Sequence, residues 1–307
     1  MNRIVRHIKG FFNDPEYRIC KLLLHLIKLE QIPDRLFLKY QYHYVFGKRL
    51  DLKHPKTYNE KLQWLKLYDR RSYYTTLVDK YAVKEWVADK IGAQYIIPTL
   101  SVYDNTSQIN LKDLPDQFVL KCTHDSGSVV ICRDKTSFDW DSGKCCLDAG
   151  LHNDFYKKHR EWPYKNVPHR IIAEQYIKDI ESEDLRDYKL YCMDGECRVV
   201  LVVSNRYRKP GPYYDYFDQE FNHLDIKRSH PNNPHLVEKP QSFDRMKKMA
   251  SILSQGIPHV RCDFYEANGY LYFGEMTFFP AGGIVPFSPS SVDEEWGHWI
   301  RLPHKTR

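Results

Sequence analysis

The sequence predicts an α+β protein, and three observations carry that reading. Apolar residues recur at helical spacing through residues 1–70, short runs of β-branched and aromatic residues take over from residue 117, and the turns Asp194-Gly195 and Asn268-Gly269 join neighbouring runs into hairpins. With 42% apolar and 28% charged residues, the 307-residue chain has the composition of a globular protein, not of a disordered or fibrous one.

The elements follow in order. Ile4, Ile8, Phe11 and Phe12 fall on one helical face, and so do Leu23, Leu24, Ile27 and Leu29, with Pro15 and Pro33 as breaks. Lys53–Lys66 contains Thr57-x-x-Glu60, the pattern of a capping box, ahead of Leu62, Trp64 and Leu65. A helix over Asp79–Ile91 ends at Gly92, and an extended piece runs to Pro98. Gln117–Cys122 and Ser128–Cys132 read as strands joined by T-H-D-S-G, and Phe138–Arg160 as a polar-faced helix. Ile171–Ile177 is a strand, Asp187–Met193 and Glu196–Ser204 form a hairpin, and Lys209-Pro-Gly-Pro and Pro231–Pro240 are loops. A helix over Phe243–Leu253 precedes the closing hairpin, Val260–Tyr265 with Tyr270–Thr277, and a Gly- and Pro-rich segment follows at Pro280–Pro289.

Composition also excludes functions. Lys and Arg (46) against Asp and Glu (40) give a net charge of +6 spread along the chain, so no nucleic-acid arm is expected. The strongest apolar run, Val199–Val203, is far shorter than the ~20 residues a membrane helix needs. Arg6, His7, Lys9 and Asp14 break up any signal-like run, so a cytoplasmic location is expected. Arg3, Arg6 and Lys9 make the first segment basic and amphipathic; packing on its own domain is favoured over peripheral contact with the inner membrane face or a lipid-linked glycan. The eight cysteines contain no C-x-x-C spacing, and Cys192 and Cys197 are expected to face each other, reduced, across the Asp194-Gly195 turn.

Three constellations bear chemistry. Lys121 lies on an otherwise apolar strand, where an unpaired lysine is costly to bury, and the loop after it, with Ser126, Gly127 and Ser128, offers backbone N–H groups to phosphate oxygens. Asp263 and Glu275 stand among strong strand formers on neighbouring strands, where they would repel unless a cation lay between them; Mg²⁺ with nucleotide phosphates fits such a pair. Glu174 in I-I-A-E-Q-Y-I is followed by Asp187-Tyr-Lys189. Each has a plain alternative: a lysine reaching to water, a hairpin turn, solvent-facing strand carboxylates.

The second constellation has a geometric condition. A two-residue Asn268-Gly269 turn puts Asp263 and Glu275 on opposite faces, because side chains alternate along a strand. A three-residue Ala267-Asn268-Gly269 loop, with Gly269 at positive φ and Glu266 facing Tyr270, brings Arg261, Asp263, Glu275 and Thr277 to one face, and that loop is the expectation.

The order of these features resembles the ATP-grasp fold. N-E-K-L-Q-W-L-K, V-D-K-Y-A-V-K, I-P-T-L-S-V-Y-D, F-V-L-K-C-T-H, E-W-P-Y-K-N, R-I-I-A-E-Q-Y-I, D-Y-K-L-Y, Y-F-G-E-M-T-F-F-P and I-R-L-P, from roughly Asn59 to Pro303, are similar to the TupA-like ATP-grasp family, associated with teichuronopeptide and other bacterial surface polysaccharides. The resemblance implies two α+β subdomains with ATP between them, 71–165 and 166–307, after an N-terminal helical region, 1–70. It implies ATP and Mg²⁺ as cofactors, and an ATP-dependent ligase joining a carboxylate, such as a uronic acid, to an amine through an acyl phosphate.

The resemblance also implies roles. Lys80 and Lys121 would contact ATP phosphates, with Ser126-Gly127-Ser128 closing over them as a loop (Thr123–Val129) that is poorly ordered without nucleotide. Glu174 and the backbone near Ile177 would meet the adenine and Asp187 the ribose. Asp263 and Glu275 would hold Mg²⁺, and Arg261 would steady charge on the transferring phosphoryl group. Two positions depart from the pattern: Thr277 stands where the wider fold often has a third metal-binding Asn, and Asp125 brings a carboxylate into the phosphate loop. Two rival functions remain: a metal-dependent glycosyltransferase, through the D-x-D of Asp139-Trp140-Asp141, and a nucleotide-binding module without catalysis.

Overall fold

The computed structural model describes residues 31–180, 185–206 and 209–304, with Pro15, Arg18, Ile19, Leu22 and Leu23. The basic first segment and Cys20 lie outside the described residues. Helices α1 (Asp34–Phe46), α2 (Tyr58–Tyr68), α3 (Tyr74–Val78) and α4 (Val83–Ile91) precede the sheets. At the start of α2 the expected capping box forms: the Thr57 hydroxyl accepts from the Glu60 N–H at 3.3 Å, and the Glu60 carboxylate accepts from the Thr57 N–H at 3.1 Å.

Two antiparallel sheets follow. The first is four-stranded, ordered β1-β4-β2-β3, from β1 (Thr99–Tyr103), β2 (Phe118–Cys122), β3 (Val129–Cys132) and β4 (Ile171–Gln175). The second is six-stranded, ordered β10-β9-β5-β6-β7-β8, from β5 (Asp187–Met193), β6 (Glu196–Ser204), β7 (Tyr213–Phe217), β8 (His223–Leu224), β9 (Val260–Ala267) and β10 (Tyr270–Thr277). In β2 the period of two buries Phe118, Leu120 and Cys122 in a core shared with Leu147 of α5 (Trp140–Leu151), and leaves Val119 and Lys121 on the other face. The larger core joins the second sheet to α2, α4, α7 (Phe243–Ser254) and α8 (Ser291–Trp299), with Trp296 among its most buried side chains.

Several expectations are corrected. The helix expected over 138–160 is two, α5 and α6 (Phe155–His159), because Asn153 and Asp154 favour a chain break and cap over helix interior. The extended piece expected up to Pro98 is followed by a strand the sequence reading did not assign, β1, at a sheet edge where weak burial leaves little apolar signal. Strand β7 hides in Y-Y-D-Y-F because Asp215 is buried there, accepting from the Asn233 N–H at 3.0 Å. Helix α8 carries Gly297 at a position where a Cβ would come within 2.1 Å of the Lys56 carbonyl oxygen, so the glycine serves close packing against the chain before α2. Cys192 and Cys197 do pair across their hairpin, as buried free thiols.

The closing hairpin corrects the expected loop. Tyr270 pairs with Ala267, not Glu266, and Asn268 and Gly269 have φ of 53° and 76°, the two-residue turn with both central residues left-handed. The ladder then slips by one residue between Phe273 and Glu275, so Gly274 is a bulge that restores the phase the turn alone would lose. Beyond it Glu275 pairs directly with Asp263 and Thr277 with Arg261.

Candidate active site

A cavity of about 410 Å³ opens between the two sheets. Sheet one lends it Val119, Lys121, Val129, Ile131 and Glu174; sheet two lends Asp187, Lys189, Tyr265, Gly274 and Glu275. Lys80, in the turn before α4, and Ser126, Gly127, Ile177 and Arg206 complete much of the wall. Lys80, Lys121, Arg133, Lys189 and Arg206 outnumber Glu174, Asp187 and Glu275, so the wall is electropositive.

Glu174 is the pivot on sheet one. It is almost fully buried, and its carboxylate is clamped at 2.5 Å by Lys121 on one oxygen and by Lys84 at 2.5 Å on the other. Burial pushes the carboxyl upward, but the two lysines outweigh it and hold it below the ordinary 4.5. A carboxylate with a lowered folded-state value adds stability above that ordinary value and loses it as the pH falls below. The Glu174→Gln variant should therefore show a shallower fall in melting temperature below about pH 4.5 than wild type, the usual unfolded glutamate range. Parallel acid limbs in the two proteins would contradict this pairing.

On sheet two, the bulge sets Asp263 opposite Glu275. Arg261 grips Asp263 with Nε at 2.6 Å and Nη2 at 2.7 Å, and Nη2 also reaches Glu275 at 3.3 Å and the Thr277 hydroxyl at 3.1 Å. Lys189 pairs with the same Asp263 carboxylate from β5. Glu275 meets opposing influences: burial raises its value, while Lys80, Lys189, Arg261 and Lys121 bring it down to about 2. Among the described residues its second oxygen has no partner, and its side chain keeps 35% exposure, so it faces the cavity. Among the described residues no three His, Cys, Asp or Glu side chains gather for a metal. Two facing carboxylates and a hydroxyl nevertheless form the all-oxygen donor set that suits Mg²⁺ when phosphate oxygens supply the rest.

The structure thus gathers Lys80, Lys121, Ser126, Gly127, Glu174, Ile177, Asp187 and Glu275 on one wall, with Arg261, Asp263 and Thr277 in the ion-pair network beside it. Ser128 does not join the wall: its hydroxyl donates to the Asp125 carboxylate. Asp125 in turn is buried and absent from the wall, and its backbone carbonyl accepts from Lys80, so its carboxylate braces the loop and does not face the cavity as expected. The loop is also less free than its composition suggests. Thr123 donates to the Arg170 carbonyl at 2.9 Å and His124 contacts the Gly150 carbonyl at 3.1 Å, while Ser126, Gly127 and Val129 stand exposed.

Sequence reasoning passed over Lys84 and Arg206, which meets Asp187 at 2.9 Å, and named Lys189 without giving it a role. Lys84 could have been found by its spacing of four from Lys80, one helical turn, and the role of Lys189 by its spacing of two from Asp187 on one strand face. The glycosyltransferase motif dissolves: Asp139 caps α5, accepting from the Ser142 N–H at 3.0 Å and the Ser142 hydroxyl at 2.7 Å.

No curated protein matches the chain. Among solved structures it is similar to the D-alanine–D-alanine ligase of Helicobacter pylori, at 14% identity and TM-score 0.44, covering 80% of this chain and 69% of that one. It is similar to the D-alanine–D-alanine ligase of Bacillus anthracis complexed with ATP, at 14% identity and TM-score 0.37, covering 66% of this chain but only 54% of that one, about half its length. The ATP-grasp ligase PsnB complexed with minimal precursor, Mg and ADP matches at 8% identity and TM-score 0.38, over 79% of this chain and 61% of that one. The family model for TupA-like ATPgrasp proteins matches residues 60–301, and the chain belongs to that family, with its ATP-grasp fold.

Proposed function

We propose that the protein is an ATP-dependent carboxylate–amine ligase that works through an acyl phosphate, on a carboxylate such as a uronic acid in bacterial capsular or other surface-polysaccharide biosynthesis. One observation carries the nucleotide half: an electropositive cavity between the two sheets, lined by Lys80, Lys121, Arg133, Lys189 and Arg206, with the partly exposed Glu275 facing it and Arg261 paired to Glu275 at its edge. That excess of fixed positive charge suits a polyphosphate. The amide-forming half and the polysaccharide setting rest on family membership.

The residues divide the work along the cavity. Asp187 has a buried Oδ1 that lies 3.6 Å from Lys189 and makes no hydrogen bond among the described residues, an acceptor placed for a ribose hydroxyl, and Ile177 and Glu174 flank the adenine. Lys80 and Lys121 bind phosphate oxygens, with Ser126 and Gly127 covering them. Asp263, Glu275 and, more weakly, Thr277 would hold Mg²⁺, which would supply positive charge against the phosphate oxygens. The substrate carboxylate oxygen attacks the γ-phosphorus in line, and ADP leaves; Arg261 steadies the charge. The amine nitrogen then attacks the acyl carbon, phosphate leaves with the carboxylate oxygen, and the nitrogen gives up a proton.

Purified protein with MgATP and a panel of uronic acids and amines tests this. ADP should form only when both a carboxylate and an amine are present. ADP release indifferent to both substrates, or binding without turnover, would sink the ligase reading.

A further inference from the structure

The second sheet lays its polar side chains out in order along β5 and β9. Asp187 opposes Tyr265, Lys189 opposes Asp263, and Tyr191 opposes Arg261. The first two pairs flank the cavity; the third lies beyond it, on the same faces, about 13 Å along the strand from Asp187 at ~3.3 Å per residue. The strand therefore runs from a nucleotide end, past the carboxylate pair, to a further end where Arg261 alone has a part in the reaction above and the residues around Tyr191 have none.

That further end is aromatic and cationic. Tyr191, Tyr58, Tyr216 and Phe287 all ring Trp296, with centroids 5.2, 5.5, 6.0 and 4.9 Å from it. Arg228 lies over Phe287 at 4.4 Å and over Tyr58 at 5.6 Å. Its Nε donates to the Val285 carbonyl at 3.2 Å and its Nη2 to Asn59 Oδ1 at 3.3 Å. A reciprocal pair of backbone hydrogen bonds, both 2.8 Å, ties Lys227 to Ser288 and fixes the segment that carries it. Among the described residues no carboxylate comes within ion-pair distance of Arg228. The acid that acts on it from nearby, Asp293, is itself taken by Asn59, through the backbone N–H at 2.9 Å and the side-chain amide at 2.8 Å. Tyr58 spends its hydroxyl on His259 at 3.1 Å, whereas among the described residues those of Tyr191 and Tyr216 have no hydrogen-bond partner.

A rigidly held guanidinium with spare N–H donors, two free phenols beside it and no counter-ion is built for an anion. We propose that Arg228, with Tyr191 and Tyr216, holds the non-reacting carboxylate of the amine substrate, which makes that substrate an amino acid or other amino-carboxylate. The assignment to the amine follows from position. The reacting carboxylate must meet the γ-phosphate beside Glu275 and Arg261, so a group bound past Tyr191 approaches the acyl carbon from the side away from the nucleotide. This rests on the ligase reading.

The test compares Arg228→Ala, and Arg228→Met to keep the stem against Phe287, with wild type. Three amines are offered with MgATP and a uronic acid: an amino acid, its α-amide, and hydroxylamine, which lacks a carboxylate. Both variants should raise KM for the amino acid roughly ten- to hundred-fold, the scale of losing a charged hydrogen-bond partner, and leave hydroxamate formation and KM for ATP unchanged. An equal loss with hydroxylamine, or none with the amino acid, overturns the proposal. Wild type that makes no hydroxamate defeats the ligase reading instead. The subsite is then read by calorimetric titration with amino acids and their α-amides, where wild type should prefer the acids and Arg228→Met should not. Wild type that binds neither, or both alike, also overturns it.

Discussion

Lys121→Ala and Glu275→Ala should each lower ATP turnover by roughly 100- to 1,000-fold or more, the scale of removing one fixed electrostatic contact to developing charge, with folding intact. Lys121 shares Glu174 with Lys84, so its loss leaves the buried carboxylate one cationic partner. Glu275 is partly exposed at the cavity and among the described residues makes one long ion pair, 3.3 Å to Arg261, so truncation opens no core void. Thr277→Ala should cost far less, since among the described residues its hydroxyl meets only Arg261, at 3.1 Å. Steady-state ADP release, with circular dichroism as the folding control, checks all three. Wild-type rates in Lys121→Ala or Glu275→Ala would remove the site.

The largest stability effect should come from Trp296→Ala. Trp296 is 1% exposed and has Tyr58, Tyr191, Tyr216 and Phe287 around its ring. Aromatic-to-alanine changes at such positions cost about 3–5 kcal/mol, the transfer term plus the cavity, a large part of a domain's margin. Urea unfolding should show a lower midpoint at unchanged slope. A loss below about 1 kcal/mol, the ordinary cost of a point substitution, would mean that the cluster around Trp296 is loosely packed.

What could be read from the chain is what local chemistry dictates. Thr57 and Glu60 announce a capping box because both partners lie within one turn, and Asn268-Gly269 announces a hairpin because both residues tolerate positive φ. Lys121 could be picked out because the period of two sets it apart from Phe118, Leu120 and Cys122. The common face of Asp263 and Glu275 was inferred for the wrong local reason. The requirement was sound, but the phase is corrected at Gly274 and not in the turn, and a bulge has no signature beyond a glycine in a strand. Asp125 misled because its partner, Ser128, turns back to it only in the folded loop. Arg228 gave no signal, since its isolation from carboxylates is a property of α2, β5 and α8 meeting in space.

The central claim is that a carboxylate is activated by phosphoryl transfer in the cavity between the sheets. It is tested most directly by following oxygen. With MgATP, an amine and a uronic acid labelled with ¹⁸O in its carboxylate, the account predicts that one ¹⁸O appears in the released phosphate and the other stays in the amide. Phosphate free of label, or label recovered in AMP, would contradict it.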